Sequence, residues 1–268
     1  MIGWRYIYSS VKGTSHSASG TPCQDYTACR DWPGKGIFAA VVADGAGSAS
    51  HAEQGATLAC SIALSLIEDY LEENSPLSEF SQDQAEAWTT QIAEEIGKVA
   101  QANGLTPRDF ACTFLMAIVG EDRGVFLQVG DGAIVVALEE DYTLVFWPQS
   151  GEYVNATYFV TDQEVIQHLQ FKVLVGSITE VALMSDGLQM LALQFSEKSA
   201  YTPFFRPMFA QLALAPVGHA EQLSLPLENF LNSEPVNNRT DDDKTLVLAT
   251  RRELVLPIPI AVSTSETL

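Results

Sequence analysis

The stretch Phe38–Ser50 reads FAAVVADGAGSAS. An apolar run stops on an aspartate, and the six residues after it are only Gly, Ala and Ser. A short, nearly all-apolar run predicts a strand covered on both faces, here Gly36–Asp44. A carboxylate at the end of such a strand is held by rigid backbone. A glycine after it permits a sharp turn with positive φ and leaves its own carbonyl accessible.

Related patterns recur downstream. Asp131 ends a strand-like run in LQVGDGA, Asp186 ends another in ALMSDGL, and Asp241, Asp242 and Asp243 immediately precede KTLVLA. Taken singly, an Asp-Gly pair is a turn signal. If several such strand ends converge, their charges repel strongly unless neutralised, and a divalent cation is the simplest neutraliser.

The remaining pattern sets these strands in order. Trp4–Val11 alternates as a strand, and a Gly/Ser/Thr/Pro-rich loop, KGTSHSASGTPCQD, follows. Ala59, Ala63, Leu66, Ile67 and Tyr70 lie on one face of a helix expected from His51 to Glu73. Trp88, Ile92 and Ile96 mark a second helix, Asp83–Ala102. The middle of the chain is strand-rich: ACTFLMAIVG, GVFLQVGDG, AIVVAL, TLVFW and EVALMSDG. LQMLALQF and FFRPMFAQLALA read as helical, the second disturbed by Pro207. Lys244–Arg251 is the final strand. LPIPIAVSTSETL, with its prolines and polar end, reads as a loosely attached tail. Runs of strands between helix pairs favour α+β over βαβ alternation.

Composition narrows the function classes. The chain has 268 residues, enough for a sizeable core, and 47% hydrophobic against 18% charged content argues against disorder. The formal net charge of −20 disfavours nucleic acid and anionic membrane surfaces as partners. No apolar run is long enough to span a membrane, and MIGWRYIYSS lacks the layout of a signal peptide. Cys23, Cys29, Cys60 and Cys112 form no CxxC pair and read as free thiols, which suits a cytoplasmic protein.

The ordered succession CQD, VVADGAG, CTFLMAIV…LQVGDGA, ALMSDGL and DDDKTLVL resembles the metal-dependent type 2C protein serine/threonine phosphatases. It is most similar to a bacterial branch with GTSH…PCQD and ADGAGS, over roughly Trp4 to Arg251. The resemblance implies an α-β-β-α sandwich, two mainly antiparallel sheets flanked by helix pairs, as one domain over 1–251 with a tail over 252–268. It implies Mg²⁺ or Mn²⁺ as cofactor, two ions and room for a third, and hydrolysis of phosphoserine and phosphothreonine by a water activated between the ions. Asp44 would bridge the ions, with the Gly45 carbonyl on one of them. Asp186 and Asp242 would be further metal ligands, with Asp243 or Asp241 as rivals to Asp242. Asp44, Asp186 and Asp242 would therefore carry the catalysis. Asp131 would help hold the third ion, and Asp25 would act through water.

Three departures from the family stand out. Ala46 replaces the histidine that many members place after the first Asp-Gly to protonate the leaving group. The zone HSASGTP has no phosphate-binding Arg. Gln24 stands where the early acidic pair has Glu. His16 and Arg239 are the candidates for the missing proton donor or phosphate ligand. The partners implied are a phosphoprotein substrate and an opposing serine/threonine kinase, with no nucleic acid and no membrane. A non-catalytic phosphoprotein-binding module and a small-molecule phosphomonoesterase are the alternative readings. Asp141–Lys172, with SGEYVNATYFVTD, is the expected place of a variable flap beside the site.

Overall fold

The computed structural model describes residues 3–138, 141–150 and 157–252. In chain order the strands are β1 (Gly3–Val11), β2 (Asp25–Trp32), β3 (Ile37–Asp44), β4 (Phe114–Val119), β5 (Arg123–Val129), β6 (Ala133–Leu138) and β7 (Asp141–Leu144). They continue with β8 (Gln170–Val175), β9 (Ile178–Met184), β10 (Leu193–Gln194), β11 (Ser199–Ala200), β12 (Gly218–His219) and β13 (Lys244–Arg252). The helices are α1 (Thr14–Ser19), α2 (Ala52–Glu72), α3 (Gln82–Ala102), α4 (Val165–His168), α5 (Gln189–Ala192), α6 (Thr202–Leu212), α7 (Ser224–Leu231) and α8 (Glu234–Asn237).

Two large sheets form. One has the order β2-β3-β4-β5-β8 and is antiparallel throughout. The other has the order β12-β1-β13-β9-β6-β7, with only the short β12–β1 pair parallel. The side-chain period of two in β3 explains how they stack. Phe38, Ala40 and Val42 point into an inter-sheet core with Leu115, Phe126, Val181 and Val247. Ala39, Val41 and Ala43 point outward to α2 and α3. Both faces of this strand are therefore buried, as its unbroken apolar run predicts. On the far side, α6 and α7 cover the second sheet through Phe205, Phe209, Leu227 and Leu231. The result is the expected four-layer α-β-β-α sandwich.

Small residues let α2 lie close to its sheet. Ala56, Ala59 and Ala63 are fully buried on that face. A Cβ on Gly55 would meet the carbonyl oxygen of Phe110 at 2.0 Å, so only glycine allows the helix and the turn Pro107–Phe110 to touch. Ser81 caps α3 by accepting from the Gln84 amide at 3.2 Å.

Several sequence expectations change. The loop 12–25 contains α1, whose end at Gly20 takes φ +78. In LQMLALQF only Gln189–Ala192 is helical, and Leu193–Gln194 instead pairs with β11. TLVFW contributes only as far as Leu144 to β7. Pro207 lies inside α6 without ending it. β2 and β8, not anticipated, are only half-buried along much of their length and so lack a clean apolar signature. Of the expected flap, 151–156 lie outside the described residues; of the tail 252–268, Arg252 ends β13 and 253–268 lie outside them.

Candidate active site

Strand register brings the acidic residues to one end of the sandwich. Asp25 opens β2 and Asp44 closes β3, and the two are direct cross-strand partners. Asp186 follows β9, whose last residue Met184 pairs with both Ala133 of β6 and Leu246 of β13. Asp131 sits in the crossover from β5 to β6, and Asp242 lies just before β13. Two elements of each sheet thus deliver carboxylates to the same edge.

Their surroundings differ in depth. Asp25 lies at the bottom and is only 4% exposed. Its Oδ2 accepts from the hydroxyls of Ser185 (2.6 Å) and Thr245 (2.8 Å), while Oδ1 has no partner. Asp44, Asp131 and Asp186 are half-buried around the mouth, and Asp242 is exposed. The backbone of Asp44 is clamped by Thr113, whose amide donates to its carbonyl (2.8 Å) and whose Oγ1 accepts from its amide (3.0 Å). Gln189 Nε2 donates to the Asp131 carbonyl at 2.5 Å.

Electrostatics registers the crowding. Burial pushes the Asp25 carboxyl up to about 7, against the two hydroxyl donors that lower it, with Asp243 and Asp186 adding repulsion. Asp131 is pushed up to about 6 by burial and then by Asp186. Asp44 stands well above the ordinary carboxylate range, through burial first and then Asp25 and Asp186. Asp186 is raised by burial and by Asp242. Among the described residues no Lys or Arg forms an ion pair with any of these five carboxylates.

These features fit a divalent cation. The donor set is all oxygen, as Mg²⁺ and Mn²⁺ prefer. The buried Oδ1 atoms of Asp25 and Asp186 lack hydrogen-bond partners, and uncompensated buried charge is costly. Among the described residues no three His, Cys, Asp or Glu side chains form a ready-made ion cage. The arrangement is therefore a ring of converging strand ends rather than a closed coordination sphere.

The acidic triplet divides its labour. Asp243 is 2% exposed and turned inward. Its Oδ1 accepts from the Gly13 amide (2.6 Å) and its Oδ2 from the Gln24 amide (2.5 Å). His16 Nδ1 lies 3.0 Å from the same Oδ2. Asp243 thus fastens both ends of the segment 13–24 to the start of β13. Asp242 remains exposed, its Oδ1 accepting only the Asp243 amide at 2.8 Å. Arg239 is placed elsewhere: its Nη1 donates to the Pro235 carbonyl at 2.8 Å, and it lines a groove beneath α6 and α7.

The glycines after the aspartates answer to packing. Gly45, Gly132 and Gly187 are not among the residues with positive φ. A Cβ on Gly45 would meet Ala52 at 2.8 Å, and one on Gly187 would meet the Asp243 carbonyl at 2.0 Å. Gly45 is needed because α2 starts against it, whereas a Cβ on Gly47 would meet open space. Ser185, Thr245 and Thr113, which position the cluster, were missed as site residues, and Asp243 was named only as a rival ligand to Asp242. The first two lie within the motifs SDG and DDKT, so their signal was adjacency to a flagged aspartate.

A protein-family profile described as Protein phosphatase 2C matches residues 12–228. Serine/threonine-protein phosphatase 3 of Escherichia coli (strain K12) is 38% identical over 255 residues, which cover 92% of this chain and 98% of that protein. Among solved structures, the serine/threonine phosphatase Stp1 from Staphylococcus aureus superposes with a TM-score of 0.60 at 16% identity, covering 94% of this chain and 96% of that one. The catalytic domain of the phosphatase PstP, crystallised with 2 manganese ions, gives 0.59 at 14% identity, covering 94% of this chain and all of that one. The profile spans most of the sequence, the relative aligns nearly end to end, and the sandwich matches solved phosphatases: this chain belongs to the protein phosphatase 2C family.

Proposed function

We propose that this protein is a Mg²⁺- or Mn²⁺-dependent phosphatase that hydrolyses phosphoserine and phosphothreonine in proteins, and that the carboxylate ring is its metal centre. One observation carries the reading: in a chain of this family, Asp25, Asp44, Asp131, Asp186 and Asp242 meet at one sandwich edge, and among the described residues none of them is ion-paired to a Lys or Arg. Asp44, the Gly45 carbonyl, Asp186 and Asp242 would hold two ions, and Asp131 would serve a third. Bound there, the ions supply Lewis acidity and a water of lowered pKa.

The chain's own residues do the rest. Asp25 keeps one oxygen on Ser185 and Thr245 and leaves Oδ1 to accept a hydrogen bond from water. His16, whose Nδ1 lies 3.0 Å from Asp243 Oδ2, would give a proton from Nε2 to the seryl oxygen as the P–O bond breaks. It takes the part that Ala46 cannot, because the Ala46 side chain is a buried methyl. A serine/threonine kinase that phosphorylates the same substrate would oppose this activity. The free cysteines and the absence, among the described residues, of a helix able to cross a membrane are in keeping with a cytoplasmic protein.

The test is turnover of a phosphoserine peptide and of p-nitrophenyl phosphate with Mn²⁺. Activity is expected to vanish in EDTA and in Asp44→Ala. Turnover that persists in either would sink the metal mechanism, and metal binding without turnover of any phosphopeptide would favour a binding module.

A further inference from the structure

A cavity of about 270 Å³ lies between the loop before β2 and the start of α2. It shares a wall with the carboxylate ring. Gln24 lines it and precedes Asp25; Ala52 lines it too, and a Cβ on Gly45 would meet that residue at 2.8 Å. Two sets of unused polar groups border this space. The first is the start of α2. His51, at the N-cap, makes no side-chain bond to the helix, and the Ser50 hydroxyl donates to Asp109 Oδ1 (2.9 Å) instead of capping it. Among the described residues the amides of Ala52, Glu53 and Gln54, all on the cavity, have no acceptor, and helical bonding begins with the Gly55 amide on the His51 carbonyl (2.9 Å). They are orphan donors at the positive end of a 21-residue helix. The second is Gln24, which is only 7% exposed. Its main chain is fully used: the amide donates to Asp243 Oδ2 (2.5 Å) and the carbonyl accepts from the Gly45 amide (3.1 Å). Its side-chain Oε1 meets no donor among the described residues.

A buried acceptor without a donor is costly, and here it borders the same space as donors without an acceptor. A ligand that offers both groups satisfies both. An ammonium or guanidinium suits Gln24 Oε1 but confronts the positive end of α2. A carboxylate suits the α2 amides but opposes Oε1 and the acidic Glu53 on the same cavity. A carboxamide fits throughout: its oxygen accepts from α2 and its NH₂ donates to Gln24 Oε1. Pro22 and Ala49 give its aliphatic stem an apolar wall. On the phosphatase reading above, on which this inference rests, we propose that the cavity is a substrate subsite for an Asn or Gln side chain flanking the phosphoserine. The wall shared with the ring is a single layer of backbone, and one extended residue covers at most ~3.6 Å, so the carboxamide belongs within about two positions of the phosphoserine.

Small probes test the cavity apart from catalysis. Propionamide, propionate and propylammonium are titrated at millimolar concentration into the isotopically labelled, Mg²⁺-bound full chain, followed by NMR. Saturable shifts of the Ala52, Glu53 and Gln54 amides are expected with propionamide only. They are expected to vanish in Gly47→Leu, because a Cβ at Gly47 meets open space and the longer side chain fills the cavity. They are expected to weaken in Gln24→Met, which keeps the side-chain length without the acceptor. No shift with propionamide, or equal shifts with all three probes, overturns the proposal. Turnover then tests the substrate role, with phosphoserine peptides carrying Gln, Asn, Ala, Glu or Lys at one flanking position at a time. At one position Gln or Asn is expected to raise kcat/KM about 10-fold over Ala, as one or two net hydrogen bonds allow, and Gly47→Leu is expected to abolish that ratio. Turnover without such a preference at any position also overturns the subsite. Propionamide binding without turnover of any phosphopeptide would instead defeat the phosphatase reading, and the substrate role with it, so the two failures are told apart.

Discussion

At the scale of single residues, neighbours in DDDKT have opposite surroundings. Asp243 is a buried acceptor for two backbone amides, whereas Asp242 faces the mouth of the carboxylate ring. Asp243→Asn weakens charge-assisted bonds to Gly13 and Gln24, so unfolding free energy is expected to fall by roughly 1.5–3 kcal/mol. Asp242→Asn is expected to leave urea unfolding almost unchanged and to abolish Mn²⁺-dependent turnover. Equal stability loss in both variants would count against this division. His16 has a sharper signature. A serine alkoxide is a poor leaving group and p-nitrophenolate a good one, so only the first needs a proton. His16→Gln should lower kcat/KM for a phosphoserine peptide by roughly 10²-fold while leaving p-nitrophenyl phosphate turnover nearly intact. An equal loss on both substrates would assign His16 to fastening segment 13–24 alone.

At the scale of elements, α2 is placed by absence of side chains. Its Gly55 touches the Phe110 carbonyl, and its first residue, Ala52, presses on Gly45. Gly55→Ala inserts a methyl where backbone already stands, and overpacking of this kind costs about 1–3 kcal/mol. Urea unfolding should show that loss with phosphatase activity retained in the folded fraction, because Gly55 touches the turn at 107–110 and not the carboxylates. The same element explains a misreading. Glycines after Asp44 and Asp186 suggest turns with positive φ, but they mark close approach by α2 and by the Asp243 backbone. Sequence shows that a side chain is missing; only packing shows what takes its place.

At the scale of the molecule, 34 acidic against 14 basic residues give a field that attracts cations and repels acidic peptides. Phosphopeptides flanked by Lys or Arg are expected to have higher kcat/KM than acidic ones at low salt. The gap should narrow as ionic strength rises, since screening shortens the reach of surface charge. Equal rates on both at low salt would remove the field as a determinant.

Local pattern by itself determined that this chain makes strands ending in aspartates. An unbroken apolar run too short for a typical helix suits an interior strand buried on both faces, and β3 is one. The long helices α2 and α3 were legible for the same reason, since a single apolar stripe at helical spacing has one way to be buried. The order of motifs added the family, and with it the sandwich. Half-buried β2 and β8 escaped because their alternation is diluted by edge exposure. Tertiary structure alone decided which aspartates share one edge, because Asp25 meets Asp44 through register and Asp186 reaches them through the pairing of β9 with β6 and β13. It alone separated Asp242 from Asp243 and moved Arg239 away from the site. Adjacent residues in an extended segment point opposite ways, and the core packed against them sets which one is buried.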